Sequence, residues 1–277
     1  MLIVNNYHFY LYLLFDGKPL PVTILFVHIF LRLCGTTIII KRGFVMDLIT
    51  TKLGIEMLLR WGHFMAGITW IGLLYYFNFV QTEYFKEADA SSKSDAIQKL
   101  VPKALWWFRW GAMFTLITGL GIFGVRGGGM SMDIYVGALL GLFMFINVWL
   151  IIWPNQQIVI ASAKQVADGG EVLPEAAGAL ATAGLASRTN TLFSIPMLFF
   201  MGASAHYPHS FSGVAFIIAV VIIFALEYNG AYPAIKHVGA FKKLPECGKM
   251  KLYASVNGVI YSGLGLTLVL FLILDLL

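Results

Sequence analysis

Long hydrophobic runs, separated by short polar loops, dominate the chain from about residue 57 onward. A helix that crosses a membrane needs about 20 consecutive, predominantly apolar residues. The pattern predicts six spans, near residues 57–80, 104–125, 134–153, 189–205, 212–229 and 252–274. The fourth and fifth spans come from one uncharged run that the polar segment Ser204–Ser210 divides. We therefore expect an all-α fold, a polytopic bundle of transmembrane helices.

The composition agrees with this pattern. Of 277 residues, 59% are hydrophobic and 12% are charged, against about 45–50% and about 25% in soluble domains. Such a chain cannot cover a surface that faces water, which excludes a soluble enzyme and a disordered protein. The net charge of +5 lies mostly in loops between spans, so we expect membrane lipid as a partner and no nucleic acid.

The loop charges predict an orientation. Loops 81–103, 154–188 and 230–251 share one side of the membrane and carry eleven Lys and Arg residues, whereas the opposite side carries four. Cytoplasmic loops are enriched in Lys and Arg. We expect a multi-pass protein of the plasma (inner) membrane, with its C-terminus outside.

The first predicted span carries a pattern suited to haem. His63 lies three residues after Arg60, and Gly67 and Trp70 follow on the same helical face. In a b-type haem site the histidine would ligate iron, the glycine would leave room for the ring, and the arginine would meet a propionate. The alternative is a buried histidine that is hydrogen-bonded to a neighbouring helix.

Two further histidines follow the fourth span. The predicted topology places His206 at the same depth as His63, as a bis-His haem or a histidine-bound metal requires. The alternative is a polar turn broken by Pro208, and we expect His209 to be merely solvated there. The two cysteines, Cys34 and Cys247, form no CxxC motif, so we expect no c-type haem and no iron–sulfur cluster.

Arginine and amide side chains gather near the cytoplasmic ends of the spans, where they suit a polar planar ligand. This weaker candidate for a substrate site consists of Arg109, Asn155, Gln156 and Asn190. Aromatic and basic residues at this level are otherwise membrane anchors. The carboxylates Glu227 and Asp275 fall at span ends, so we expect no buried carboxylate at the midplane.

Four segments together resemble a known family. They are Arg60–Gly72 with Tyr76-Phe77, Trp107–Trp110 with Thr118-Gly119, Asn147 with Ile151–Gln156, and Asn190–Phe200 running into Ala205–Pro208. In this order and spacing, residues 54–230 resemble the membrane domain of the bacterial membrane-bound urate hydroxylases, the urate oxidase N-terminal domain family.

The resemblance implies a helical membrane oxidoreductase domain that takes part in electron transfer. His63 and His206 match recurrent histidine positions of that family, in which a cytochrome c domain follows the membrane domain. This chain ends at Leu277, so we expect electrons to pass to a separate cytochrome c. The first loop, 81–103, is rich in Lys and Glu here and also departs from the family. Both departures count against urate as the substrate.

Two other functions compete with this one. A non-catalytic accessory subunit of a larger membrane complex would use the 28 glycines for close helix packing. A small-solute channel or carrier ranks last, because the sequence shows no inverted repeat.

Residues 1–45 differ in composition from the rest of the chain. A seventh span over 20–40 would place Arg32 in its middle, at a cost of about 2.5–3.5 kcal/mol. We interpret 1–45 as an extension or an extra span, and 46–277 as a single transmembrane helical domain. Our hypothesis is that translation starts at Met46. The intact mass of the native protein tests it, and a mass that includes residues 1–45 would refute it.

Overall fold

The computed structural model describes residues 14–15, 18–19, 44–238, 241, 245–247 and 255–277. The chain forms two compact units, Met1–Thr51 and Lys52–Leu277. In the first unit, strand β1 (Leu14–Phe15) pairs antiparallel with β2 (Lys18–Pro19), and helix α1 covers Phe44–Thr50. The predicted seventh span, 20–40, lies outside the described residues.

The second unit is built from helices wherever it is described, which confirms the all-helical prediction for this unit. Helix α2 covers residues 52–87. The helices that follow are α3 (Ala90–Arg126), α4 (Met132–Ala167), α5 (Ala176–His206), α6 (Gly213–Ile235) and α7 (Val256–Leu276). We call the end at which α2 begins the outer end, and the end at which α2 meets α3 the inner end.

Four helices of the described chain, α3, α4, α6 and α7, are long and apolar enough to cross a membrane. The prediction of six such spans is therefore wrong in its count. The predicted spans 57–80 and 189–205 fall within α2 and α5, whose apolar runs are interrupted by polar side chains. In α5 these side chains include Thr189, Asn190 and Ser194, which are fully buried.

Helix α5 is the central helix of the second unit. It packs against α2, α4, α6 and α7, and Phe193 and Phe200 on it are fully buried. Because protein surrounds α5 on several sides, its polar side chains find hydrogen-bond partners on the neighbouring helices. A helix in this position does not need the uniform hydrophobicity of a helix that faces lipid.

A proline in α5 lies near a close contact between α5 and α7. Pro196 lies inside α5, and because it has no N–H, it leaves the carbonyl of Leu192 without its helical partner. Gly263 of α7 faces this carbonyl, since a Cβ atom at position 263 would lie 3.0 Å from Leu192 O and 2.6 Å from Ile195 Cδ1. The glycine therefore allows the two backbones to meet.

Helices α2 and α3 form an antiparallel pair. A Cβ at Gly111 would lie 3.1 Å from the backbone nitrogen of Trp70, so the two backbones are also close here. The turn between the helices ends at Asp89, which accepts a hydrogen bond from the backbone N–H of Ser92 at 2.8 Å. Hydrogen bonds from Ser91 and Ser92 lower the pKa of Asp89 to about 2.

Three helices contain a π-helical segment near the inner end. The segments are Tyr76–Gln81 in α2, Ala96–Leu100 in α3 and Asn147–Ile152 in α4. Such segments are rare and occur frequently at functional sites. Because the three segments lie near one another, the space between these helices is a candidate functional site.

The contact between α5 and α7 yields a stability prediction. We expect Gly263→Ala to destabilise the protein by about 1–3 kcal/mol, because the methyl group would overpack a site bounded by backbone. Gly265→Ala is the matched control, since nothing lies within 4 Å of a Cβ there. The measurement is thermal unfolding in detergent; equal melting temperatures for the two variants would contradict the prediction.

Candidate functional site

His63 lies in the interface between α2 and α3 and is half-buried. Its Nδ1 atom is 3.0 Å from the carbonyl oxygen of Thr115 and 3.2 Å from the hydroxyl oxygen of Thr118. A carbonyl oxygen only accepts hydrogen bonds, so Nδ1 must carry the proton and donate it. In a neutral imidazole Nε2 is then the unprotonated nitrogen, and no described residue donates a hydrogen bond to it.

The residues predicted to accompany His63 have separate surroundings. Arg60 Nη2 lies 2.8 Å from Glu56 Oε1, and Arg126 of α3 reaches the same oxygen at 3.1 Å. Trp70 is buried against α3. A Cβ at Gly67 would meet nothing within 4 Å, so the space beside this glycine is open.

The structure distinguishes the two later histidines. His206 is the last residue of α5 and is exposed, whereas His209 is buried. The expectation that His209 is merely solvated is therefore wrong. Asp133, in the first turn of α4, accepts hydrogen bonds from the backbone N–H and from Nδ1 of His209, both at 2.8 Å.

The buried pair of Asp133 and His209 joins three elements at the outer end. Nε2 of His209 is buried without a hydrogen-bond partner, and its nearest carboxylate oxygen belongs to Asp275 of α7, 3.8 Å away. The rings of Tyr207 and Phe271 pack against the imidazole. Asp133 escaped the sequence analysis because it lies one residue before the predicted third span.

Residue spacing relates His63 on α2 to His206 on α5. Tyr75 of α2 is hydrogen-bonded to Ser194 of α5 at 2.9 Å, and Asn78 donates to Ser187 at 2.8 Å, so the two helices run antiparallel. His63 is twelve residues from Tyr75, and His206 is twelve residues from Ser194. No hydrogen bond joins the two imidazoles in the described chain.

The structure does not gather the four predicted substrate residues into one site. Arg109 lies over the rings of Trp149 and Trp153, with its Cζ atom 5.0 and 3.9 Å from their centroids. Asn155 donates to the carbonyl of Ile151 in its own helix at 2.7 Å. Asn190 is fully buried.

Gln156, the remaining member, lines a cavity of about 540 Å³ at the inner end, between α2, α3, α4 and α5. All three π-helical segments contribute to its wall, including Asn78, Ile97 and Ile152. Gln81 also lines it, and the Oε1 atom of this side chain is buried without a hydrogen-bond partner. The cavity thus offers amide groups and aromatic walls, as small-molecule sites do.

The charged residues in the cavity wall are cations. Lys86, Lys93 and Arg188 line it, and no Asp or Glu is among the described lining residues. Lys86 is paired with Glu83 at 2.8 Å, and Lys93 lies 5.8 Å from the ring centroid of Phe85. This balance of charge suits a ligand that carries negative charge. Sequence patterns did not single out Gln81 or Asn78, because their roles depend on how four helices meet.

A buried carboxyl group connects α4, α5 and α6. Glu227 is 6% exposed, and Asn147 donates from Nδ2 to Glu227 Oε2 and to Asn190 Oδ1, each at 2.9 Å. Glu227 does not lie at the end of its helix as expected, because α6 continues to Ile235; its depth relative to a membrane midplane stays a prediction.

Comparison with known protein families gives a match over part of the chain. The family model described as urate oxidase N-terminal matches residues 128–257. This confirms the family resemblance predicted from the sequence, over the segment that the match covers. No curated protein and no solved structure matches the chain.

The buried outer-end pair yields a stability prediction. We expect Asp133→Ala to destabilise the protein by about 1–3 kcal/mol or more, because it leaves two buried N–H groups of His209 without an acceptor. Asp275→Asn is the control, since that carboxylate is 40% exposed and should contribute less than about 1 kcal/mol. Thermal unfolding of both variants measures the difference; an effect of Asp133→Ala no larger than that of the control would refute the role of the pair.

Proposed function

We propose that this chain, in which residues 128–257 carry the urate oxidase N-terminal sequence, is a polytopic membrane redox protein that binds haem b. The observation that carries the proposal is the hydrogen bond of His63 Nδ1 to the carbonyl oxygen of Thr115. A histidine that ligates a metal through one nitrogen almost always donates a hydrogen bond from the other. In the proposed site, the carbonyl oxygen of Thr115 accepts this hydrogen bond from His63 Nδ1.

The surroundings of His63 fit the cofactor. Its Nε2 atom is unprotonated and has no described hydrogen-bond partner, and Gly67, one turn along α2, leaves space for a flat ring. Gly119 packs against the imidazole, since a Cβ there would lie 3.2 Å from its Cε1 atom. This contact and the Thr118 hydroxyl hold the imidazole in one orientation. When bound, haem would supply one-electron transfer.

We assign the second ligand position to His206. It lies at a similar depth on α5, it is exposed, and no described residue contacts it through a hydrogen bond. A single-ligand haem or another histidine-bound metal is the alternative for the same residues. The outer ends of α2 and α5 thus form the proposed cofactor site, from which electrons would leave to a separate cytochrome c.

The inner cavity is the proposed substrate site. Gln156, Gln81 and Arg188 can hydrogen-bond to a planar anion, and a purine has this chemistry. The cavity begins at Phe77, fourteen residues after His63 along α2, or about 20 Å at 1.5 Å per residue. Substrate and cofactor would therefore occupy separate sites, and electrons would have to cross the bundle between them.

One observation favours a different function, that of an accessory subunit. Trp61, Phe64 and Ile68 on α2 are 59%, 66% and 72% exposed, although α2 is not among the four helices that are apolar enough to span a membrane by themselves. Another subunit of a membrane complex could cover this face. Such a protein would be colourless and would purify with its partners in fixed ratio.

The test is the visible absorption spectrum of the detergent-purified protein, oxidised and dithionite-reduced, after growth with ample haem. We expect a haem b spectrum that His63→Ala abolishes. His206→Ala should change the spectrum by removing the second ligand. His237→Ala is the matched control, because His237 is exposed beyond the end of α6, and it should leave the spectrum unchanged.

Two results would contradict the proposal. One is the absence of a Soret band in protein that is folded by circular dichroism and gel filtration. The other is a haem spectrum that survives His63→Ala. The first result would favour the accessory-subunit function. The second would show that haem binds elsewhere in the chain.

A further inference from the structure

The carboxyl group of Glu227 is a buried ionisable group that the proposed redox site does not use and that, unlike Asp133, has no described histidine beside it. It lies on α6, eight residues before the helix ends at Ile235, and is 6% exposed. Ionisable side chains inside membrane helices are expensive to place there and commonly mark ion or proton pathways. Whether Glu227 is charged or neutral therefore depends on the groups that surround it.

Those surroundings supply amide and hydroxyl groups but no counter-charge. Asn147 of α4 donates to Oε2 at 2.9 Å, and Asn190 of α5 accepts from the same amide nitrogen. Asn190 in turn donates to the carbonyl of Met144 at 2.9 Å, which fixes the orientation of its amide. Thr189 of α5 packs against Gly230, one turn further along α6.

Charged residues on the helices packed against α6 lie elsewhere. Helix α4 carries Asp133 and Lys164 near its two ends, and α7 carries Asp275 near its last turn. Arg188 of α5 lies in the wall of the inner cavity. None of these residues, nor any other described cation, forms an ion pair with Glu227.

A buried carboxylate without a cationic partner is strongly disfavoured, and such a group normally becomes neutral by binding a proton. The neighbouring amide of Asn147 lacks a hydrogen-bond donor among the described residues. Asn147 Oδ1 is buried and has no hydrogen-bond partner in the described chain. A carboxylic acid O–H, acting directly or through one water molecule, would supply the missing donor.

Two helices that contribute partners around Glu227, α4 and α5, also line the inner cavity. Ser187 and Arg188 line the cavity, and the polar positions Thr189, Asn190 and Thr191 follow them directly on α5. On α4, the π-helical segment begins at Asn147 and ends at Ile152, which also lines the cavity. Both helices thus connect the cavity to the surroundings of Glu227.

We propose that Glu227 is an exchangeable proton-binding site at the contact of α4, α5 and α6, neutral when its proton is bound and reached from the inner cavity. Asn147 positions the carboxyl group through its amide hydrogen bond. The site does not depend on haem, so it can be tested on the purified protein whether or not the redox proposal holds.

The experiment is infrared spectroscopy of the purified full chain at neutral pH, in H₂O and in D₂O. We expect one C=O stretch of a protonated carboxylic acid that Glu227→Gln removes. Glutamine has nearly the same size and can accept the Asn147 hydrogen bond, so the fold should be retained. In D₂O the band should shift to lower frequency within minutes, because the proton exchanges.

Asp275→Asn is the matched control, since its carboxylate is 40% exposed and lies at the outer end of α7; it should leave the band unchanged. Asn147→Leu keeps the carboxyl group and removes its donor, so the same band should move in frequency. This second variant also carries the test if Glu227→Gln does not fold. The absence of such a band at neutral pH, or a band that does not shift in D₂O, would overturn the proposal.

Discussion

The hydrogen bonds made by the side chains of α5 are the constraint on which the rest of the second unit depends. Asn190 joins α5 to α4 through the Met144 carbonyl and Asn147, and Ser194 joins it to α2 through Tyr75. Asn147, Asn190 and Ser194 are fully buried, so leaving one of them unpaired would cost about 1–3 kcal/mol. These bonds therefore favour the register in which α2, α4 and α5 are packed.

With the helices packed in this register, the two ends of the bundle carry different sets of polar side chains. At the outer end, Glu56 is paired with Arg60 and Arg126, and Asp133 is paired with His209. The inner end instead contains a cavity with cations and amides in its wall. The imidazole of His63 and the cavity lie on the same two helices, α2 and α3, so their separation is fixed by helical geometry. A redox function would have to connect two sites within one rigid framework.

The sequence predicted what depends on local pattern. Hydrophobic runs located the helices, and His63 stood out because a polar side chain inside an apolar run is unusual. Its alternative interpretation, a buried histidine bonded to a neighbouring helix, describes the Thr115 contact, and this contact also leaves Nε2 available. Features set by tertiary packing were missed: the burial of His209 depends on Asp133, which is distant in sequence, and that of Glu227 depends on Asn147. The count of apolar spans failed at α5 for the same reason, because its polar side chains are buried against neighbouring helices.

Under the haem proposal, the free nitrogen of His63 binds the iron of the cofactor. An iron anomalous difference map, from crystals of protein that was grown with ample haem, tests this directly. We expect one iron peak at bonding distance from His63 Nε2, on the side of the imidazole opposite the Thr115 carbonyl. An iron peak elsewhere in the bundle, or no peak in a well-ordered map, would contradict it.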